Sequence, residues 1–429
     1  MSRKRLTRRT FITYTSAALA SLFPRRTRAA TQDKLRIACV GVGGQGAADL
    51  RAVSRENIVA LCDVDQRRAA DAFKAIPKAA KYTDWRQLLD KEHANIDAVV
   101  VATPDHQHAF VAHAAMDLGK HVYVEKPMAH TIVETRALMK KAADTGVVTQ
   151  MGNQGHSWKG VWQLKEMIDA GVIGKVREAH AWTNRPTWPQ GIDRPADSPP
   201  IPEGLDWDLW LGPAQLRPYN PAYAPRTWRG WWDFGEGAMG DMGCHILDPF
   251  VTVTNMTAPQ RISAESSPVN DETAPGWSII RYQFPDMTLT WYDGGKMPQR
   301  PELIPSEDEL GDGECGTIFI GDKGLVMVGT YGTDPTIYPL ELRQQWEAEH
   351  GESDARSLNH QRAWVDACKG GEDPALSHFG YSGPLTELSL LGNVALRAGE
   401  PIEWDAAAIK VTNLPSANAY LTQDYRQSW

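Results

Sequence analysis

The feature that most constrains this chain is a strand that must turn on glycine into a helix. Leu35-Arg-Ile-Ala-Cys-Val-Gly41 is a short apolar β-type run that leads directly into Gly41-Val42-Gly43-Gly44-Gln45-Gly46 and a helical pattern over 47–54. In a G-x-G-x-x-G turn the first glycine makes the bend and the second lets backbone approach a pyrophosphate. The third lets the helix pack closely on the strand. The phosphates then meet the unpaired N–H groups of the helix start. Gly41, Gly43, Gly44 and Gly46 are therefore candidate nucleotide-binding residues. A second strand, 58–62, ends in Asp63, where a carboxylate accepts the adenosine ribose hydroxyls and repels a 2′-phosphate. That favours NAD; Arg67 and Arg68 follow closely and leave NADP open.

The pattern continues to alternate. Asp84 is placed to cap a helix over 85–91, a strand follows at 98–102, and a helix is expected over 109–118. A strand at 121–124, a helix at 132–145 and a strand at 147–151 complete the first half. Continuous apolar strands alternating with helices mean a doubly wound parallel sheet. Ligands bind such sheets at the carboxyl ends of the strands. Thr103, Pro104 and His108 are candidates there, and Asn153, with Gln154 and His156, falls at the nicotinamide end. His106 and His108, two apart in an expected loop, make a poor metal pair.

Two further motifs carry chemistry. The strand at 121–124 ends in Glu125-Lys126-Pro127, which points a lysine into the crevice, where desolvation and the positive nicotinamide are expected to lower its pKa and make it a usable acid/base or a hydroxyl-orienting donor. The run Gly240-Asp-Met-Gly-Cys-His-Ile-Leu-Asp248 spaces Asp241, His245 and Asp248 at i, i+4 and i+7. On one helix these share a face, as a general base and an orienting carboxylate would. A metal site is not favoured, for want of ligands from another element.

The Gly-rich turn, the Glu-Lys-Pro strand end and the Gly-Asp-x-Gly-x-His-x-x-Asp helix together resemble the glucose–fructose oxidoreductase / inositol dehydrogenase / rhizopine-catabolism (Gfo/Idh/MocA) family, over about 35–425. The resemblance implies an α/β chain: an N-terminal Rossmann sheet and a C-terminal α+β domain with an open, mostly antiparallel sheet. It also implies Lys126, Asp241 and His245 as the catalytic trio. Gly41, Gly43, Gly46 and Asp63 would bind the cofactor, and a sheet face would form homo-oligomers, dimers or tetramers.

The domains are expected at 34–150 and 151–429. Nine of the sixteen tryptophans fall between Trp158 and Trp232, among Pro and Arg residues that include Arg185, Arg226 and Arg229. Many will be core, but a long loop with flat aromatic faces and arginines also suits a carbohydrate-like substrate. Strands at 278–284, 288–292, 317–320 and 325–328 pair around turns, as in an antiparallel sheet.

The charge is uneven. Residues 1–30 hold eight basic residues and no acid, then an apolar run and Ala29-Ala30. That is the layout of an export signal, and Thr7-Arg8-Arg9-Thr10-Phe11-Ile12 resembles the twin-arginine consensus. Cleavage near Ala30 would take the formal charge from −8 to −16. An acidic body argues against nucleic acid, and no run is long enough for a membrane anchor. Five scattered cysteines fit folding before export, with Cys39 and Cys62 in the core. The expected partners are thus the twin-arginine translocase and a small carbohydrate.

The main expectation is an NAD-dependent oxidoreductase acting on a sugar, polyol or glycoside. His245 would take the hydroxyl proton, with Lys126 and Asp241 positioning the hydroxyl. Export separates the protein from cytosolic nicotinamide pools, which leaves a second reading: redox-neutral glycoside cleavage through transient C3 oxidation on tightly held NAD. A third is a non-catalytic, NAD-bound binding protein.

Overall fold

A strand covered on both faces must be apolar throughout, and Ala98-Val99-Val100-Val101 is buried at all four positions. The computed structural model describes residues 34–427 and Trp429, so the twin-arginine leader expected at 1–30 lies outside the described residues. Six strands form the first sheet: β1 (Arg36–Val40), β2 (Asn57–Cys62), β3 (Ala80–Tyr82), β4 (Ala98–Val101), β5 (His121–Val124) and β6 (Thr149–Met151). All pair in parallel, in the order β3-β2-β1-β4-β5-β6. The order reverses between β1 and β4, and the crevice at their carboxyl ends is where this topology binds ligands.

The helix expected from Ala109 starts earlier, at Asp105, and runs to Asp117 with Pro104 at its N-cap. Proline's fixed φ suits a helix entrance. His106 and His108 are therefore buried helical residues, not loop residues.

One face of the parallel sheet is covered by side chains from far along the chain. Ile37, Cys39, Leu61, Val100 and Tyr123 pack with Leu50 and Val53, and also with Trp364 and Val365. The latter two lie on the helix His360–Cys368. The Trp364 ring meets Tyr123 edge-on at 5.7 Å. A division of the chain at 150 therefore leaves part of the first domain's cover in the second half.

The second sheet has nine strands: β7 (Val176–Trp182), β8 (Arg261–Ser266), β9 (Ser278–Gln283), β10 (Thr288–Tyr292), β11 (Gly316–Gly321), β12 (Leu325–Val328), β13 (Thr336–Tyr338), β14 (Ile402–Asp405) and β15 (Lys410–Val411). Their order is β13-β12-β11-β7-β10-β9-β8-β14-β15, antiparallel except where β7 runs parallel to β10. The 20-residue helix Phe379–Ala398 is buried along most of its length. Its Glu387 accepts from the Arg136 guanidinium at 2.7 Å, joining it to the helix Ile132–Thr145 of the first domain. No helix among the described residues is long and apolar enough to cross a membrane.

The segment carrying Asp241, His245 and Asp248 is two helices rather than one. The first runs Gly237–Ile246; the second, Asp248–Thr254, begins with Pro249 in its first turn. A residue without an N–H fits a helix start, and Asp248 belongs to the second helix, apart from the one that holds Asp241 and His245.

Trp364 has no solvent exposure, so Trp364→Ala is expected to cost about 3–5 kcal/mol in urea unfolding. A loss below about 1 kcal/mol would show that the helix His360–Cys368 is not part of the first domain's core.

Candidate active site

The crevice at the switch point is a cleft of about 540 Å³ running from the Gly-rich turn to the helix Gly237–Ile246. Gly41 has φ +78°, and a Cβ on it would lie 2.5 Å from the Ala102 carbonyl oxygen. A Cβ on Gly46 would strike the Gly41 carbonyl, so this residue sits behind the turn and serves helix packing. Gly41, Gly43 and Gly44 line the cleft. Gly44 is the N-cap of the helix Gln45–Ala52 and gives it no side-chain cap, which leaves the first N–H groups for an anion.

Asp63 closes this end. Its Oδ2 accepts from the Val42 N–H at 3.0 Å and its Oδ1 from the Asp65 N–H at 2.9 Å. Burial raises its pKa, opposed by those two backbone bonds. Of the arginines that left NADP open, Arg67 is paired with Asp65 at 2.6 Å, and Arg68 lies beside Gly43 and Gly44. Thr103 and Pro104 line the middle of the cleft, where Thr103 Oγ1 is buried without a partner. The cradle a Cβ would fill, the uncapped helix start and this orphaned hydroxyl all fit a dinucleotide held by Gly41, Gly43, Gly44, Asp63 and Thr103.

The other end is built on Lys126, whose peptide bond to Pro127 is cis. Its Nζ donates to the Asp241 carbonyl at 2.6 Å and to Asp241 Oδ1 at 2.8 Å. Arg229 Nε donates to the same Oδ1 at 2.9 Å, and Arg185 Nε lies 3.8 Å from Oδ2. Burial alone would raise the Asp241 pKa, but Lys126 and Arg229 outweigh it and hold the carboxyl far below the usual range. The lowered lysine pKa expected from sequence is corrected: burial lowers it, yet the Asp241 charge and hydrogen bond bring it above its ordinary value. Paired in this way, Lys126 favours its ammonium form and serves as a donor.

His245 is the group free to accept a proton. Burial first, then the Lys126 charge, holds its pKa well below the ordinary histidine value, so the ring is neutral. Its Nδ1 is shielded and unpartnered, which leaves Nε2 as the open nitrogen. Tyr331 meets the ring edge-on at 4.6 Å. The orienting carboxylate expected from the i, i+4, i+7 spacing is not present: Asp241 is taken by cations and Asp248 lies elsewhere. Asp248 accepts from Asn153 at 3.0 Å and from the Tyr381 hydroxyl at 2.7 Å, and lies 3.0 Å from His156 Nδ1. Asn153 is buried in that knot and does not line the cleft, unlike its neighbour Gln154.

The remaining sequence candidates support the site. His108 bridges the Pro127 carbonyl (2.8 Å from Nδ1) and the Thr103 carbonyl (2.9 Å from Nε2), tying the Lys126 turn to the end of β4. His106 is buried against the Trp210 carbonyl, 3.1 Å from Nε2. Glu125 accepts from Gln154 at 2.9 Å, and burial followed by the charge of Asp49 raises its pKa well above normal. No group of three or more His, Cys, Asp or Glu residues among the described residues is placed to hold a metal. Of the tryptophans, Trp207, Trp210, Trp228 and Trp231 form a small core with Tyr223 and Phe234, and Trp210 and Trp228 also face the cleft.

Sequence reasoning missed Tyr331, which sits in a short turn with no motif, and the acid pair Asp105–Glu236. Burial raises the Asp105 pKa to about 7, and burial followed by the charge of Asp105 raises the Glu236 pKa well above normal; both Glu236 carboxyl oxygens are buried without a hydrogen-bond partner. One signal was available. A Cβ on Gly240 would lie 2.5 Å from the Glu236 side chain, so a glycine inside that helix marks a side chain folded over it.

Comparison with known proteins agrees with this geometry. Residues 35–153 match the profile of the GFO_IDH_MocA oxidoreductase family, NAD-binding Rossmann fold, and residues 159–308 match that family's C-terminal alpha/beta domain. A levoglucosan dehydrogenase of Pseudarthrobacter phenanthrenivorans is 27% identical over 273 residues, 62% of this chain and 54% of that protein. An inositol 2-dehydrogenase of Salmonella typhimurium is 32% identical over 152 residues, 34% of this chain and 45% of that one. The chain thus spans about half the length of the curated relatives it matches. The WlbA dehydrogenase of Bordetella pertussis, solved with NADH and UDP-GlcNAcA, shares the fold at TM-score 0.61 and 18% identity over 87% of this chain and 99% of that one. With both domain profiles matched in order, the chain belongs to the Gfo/Idh/MocA oxidoreductase family, and residues 35–153 are its NAD-binding Rossmann domain.

Proposed function

We propose that this protein is an exported NAD-dependent oxidoreductase that acts on a hydroxyl of a sugar, polyol or glycoside. The observation that carries the reading is a pair of opposite proton roles in one cleft. Lys126 is a fixed ammonium locked on Asp241, and His245 is a neutral imidazole with an open Nε2. The bound nicotinamide supplies a hydride acceptor. The chain supplies the rest: Lys126 Nζ, with a third N–H beyond those given to Asp241, holds the substrate oxygen by donating to it. His245 Nε2 takes the hydroxyl proton, and Asp241 keeps the lysine in place and charged. Trp210, Trp228 and Tyr331 offer flat apolar faces to a ring.

Lys126→Ala and His245→Ala are each expected to lower kcat by about 10²–10⁴-fold while bound NAD is retained on purification. Full activity of Lys126→Ala overturns the assignment. Product analysis separates the redox readings: a keto-sugar or lactone with stoichiometric NADH supports net oxidation, and a free sugar released from a glycoside without NADH supports the redox-neutral one.

The export reading rests on Arg8-Arg9 and the basic leader. The double variant Arg8→Lys, Arg9→Lys is expected to leave the protein unprocessed in the cytoplasm of its host, with the parent chain in the exported fraction. Equal export of both would remove the twin-arginine route.

The Asp105–Glu236 pair makes stability depend on pH. Both acids bind a proton more tightly folded than unfolded. Their contribution is complete below the unfolded carboxylate range, about pH 4, and falls as pH rises through about 7. Glu236→Gln, which removes one of the two acids that must lose a proton, is expected to gain melting temperature over the parent, by more at pH 8 than at pH 5. A constant difference across that range counts against a raised Glu236 pKa.

A further inference from the structure

The substrate end of the cleft holds more positive charge than its own carboxylates answer. Lys126, Arg185, Arg226 and Arg229 all line it. Asp241 answers Lys126 and Arg229 at hydrogen-bond distance and lies 3.8 Å from Arg185. Burial raises the pKa of Asp105, Glu236 and Glu125, which lessens the negative charge they bring to this end. Arg185 otherwise reaches only the neutral Asn184 side chain. Arg226 is exposed at the cleft, and its side chain forms no ion pair or hydrogen bond among the described residues; only its backbone carbonyl is used, by Arg229.

Elsewhere near the cleft two arginines are each paired with an acid two residues away. Arg67 is bound to Asp65 at 2.6 Å and Arg86 to Asp84 at 2.8 Å. In a chain of formal charge −8, an unpaired Arg226 and an Arg185 that only shares Asp241 with two other cations, beside the reacting groups, are a local reversal of sign. Such a field, focused by apolar walls, attracts and retains an anion. An anionic substrate would answer guanidinium charge that a neutral one leaves unanswered.

Building on the proposed sugar or polyol chemistry at Lys126 and His245, we infer that the substrate carries an oxyanion, a carboxylate or a phosphate, taken by Arg226 and Arg185. The planar fork of a guanidinium matches either group with two parallel N–H···O bonds. The anion fixes which way the ring enters and hence which hydroxyl meets Lys126. Trp228 stacks on Arg229 at 4.4 Å, holding that arginine to Asp241 and leaving Arg226 and Arg185 for the substrate.

The test is calorimetric titration of the NAD-loaded full chain with charged and neutral partners of one ring stereochemistry. The pairs are D-glucuronate with D-glucose, D-galacturonate with D-galactose and D-mannuronate with D-mannose; D-glucose 6-phosphate forms the phosphate arm. At least one charged sugar is expected to bind about tenfold or more tightly than its neutral partner, the share of one charge-assisted bidentate contact. Arg226→Gln and Arg185→Gln are each expected to cut that advantage severalfold, and raised salt to weaken it in the parent. The arm that prevails tells carboxylate from phosphate. No preference for any charged sugar, or a preference unchanged in both variants, overturns the inference. Selective anion binding with no NADH formed would keep this inference and overturn the oxidoreductase reading. NADH formed from a neutral sugar that binds as well as its acid would do the reverse.

Discussion

The buried carboxylate of Asp241 is the point on which the rest of the site depends. Burial pushes a carboxyl toward its neutral form, and only close cations keep it charged. Lys126 comes to it from the end of β5 in the parallel sheet, and Arg229 from the turn ahead of the helix Gly237–Ile246. The interaction therefore joins the two halves of the chain across the cleft. Removing one partner would leave the others buried and uncompensated, so position and charge state are set together.

The cleft and its walls push acids in opposite directions, decided by neighbours rather than by residue type. Asp241 is held far below the usual carboxylate range between cations, whereas burial raises Asp105, Glu236 and Glu125. Burial first, and then the charge of Lys126, keeps the His245 pKa well below the ordinary histidine value. The result is a cleft with an ammonium donor, an open imidazole nitrogen and surplus guanidinium charge, which is the basis of both functional proposals.

Local signals in the sequence were reliable where a short-range constraint acts alone. The strand His121–Val124 and the helix Ile132–Thr145 lie where the pattern put them, the latter with a Thr131–Glu134 capping box and Gly146 in the left-handed region. Asp84 caps its helix as expected, accepting from the Arg86 N–H. Errors came where proline has two meanings. Pro104 starts a helix where the local pattern suggests loop, and Pro249 starts a second helix where the spacing suggests one continuous face.

The sequence by itself determined the strand–glycine–helix turn, the acid at the end of β2, the lysine at the end of β5 and the presence of a histidine-bearing helix. Each is encoded within about twenty residues, where steric and capping rules hold without a partner. Tertiary structure alone decided which carboxylate serves Lys126, that Asp248 and Asn153 form a separate knot, and that Tyr331 faces His245. It also decided that Trp364 covers a strand more than two hundred residues earlier. These depend on charge balance and packing between distant segments, and no local periodicity records which distant residue will be brought near.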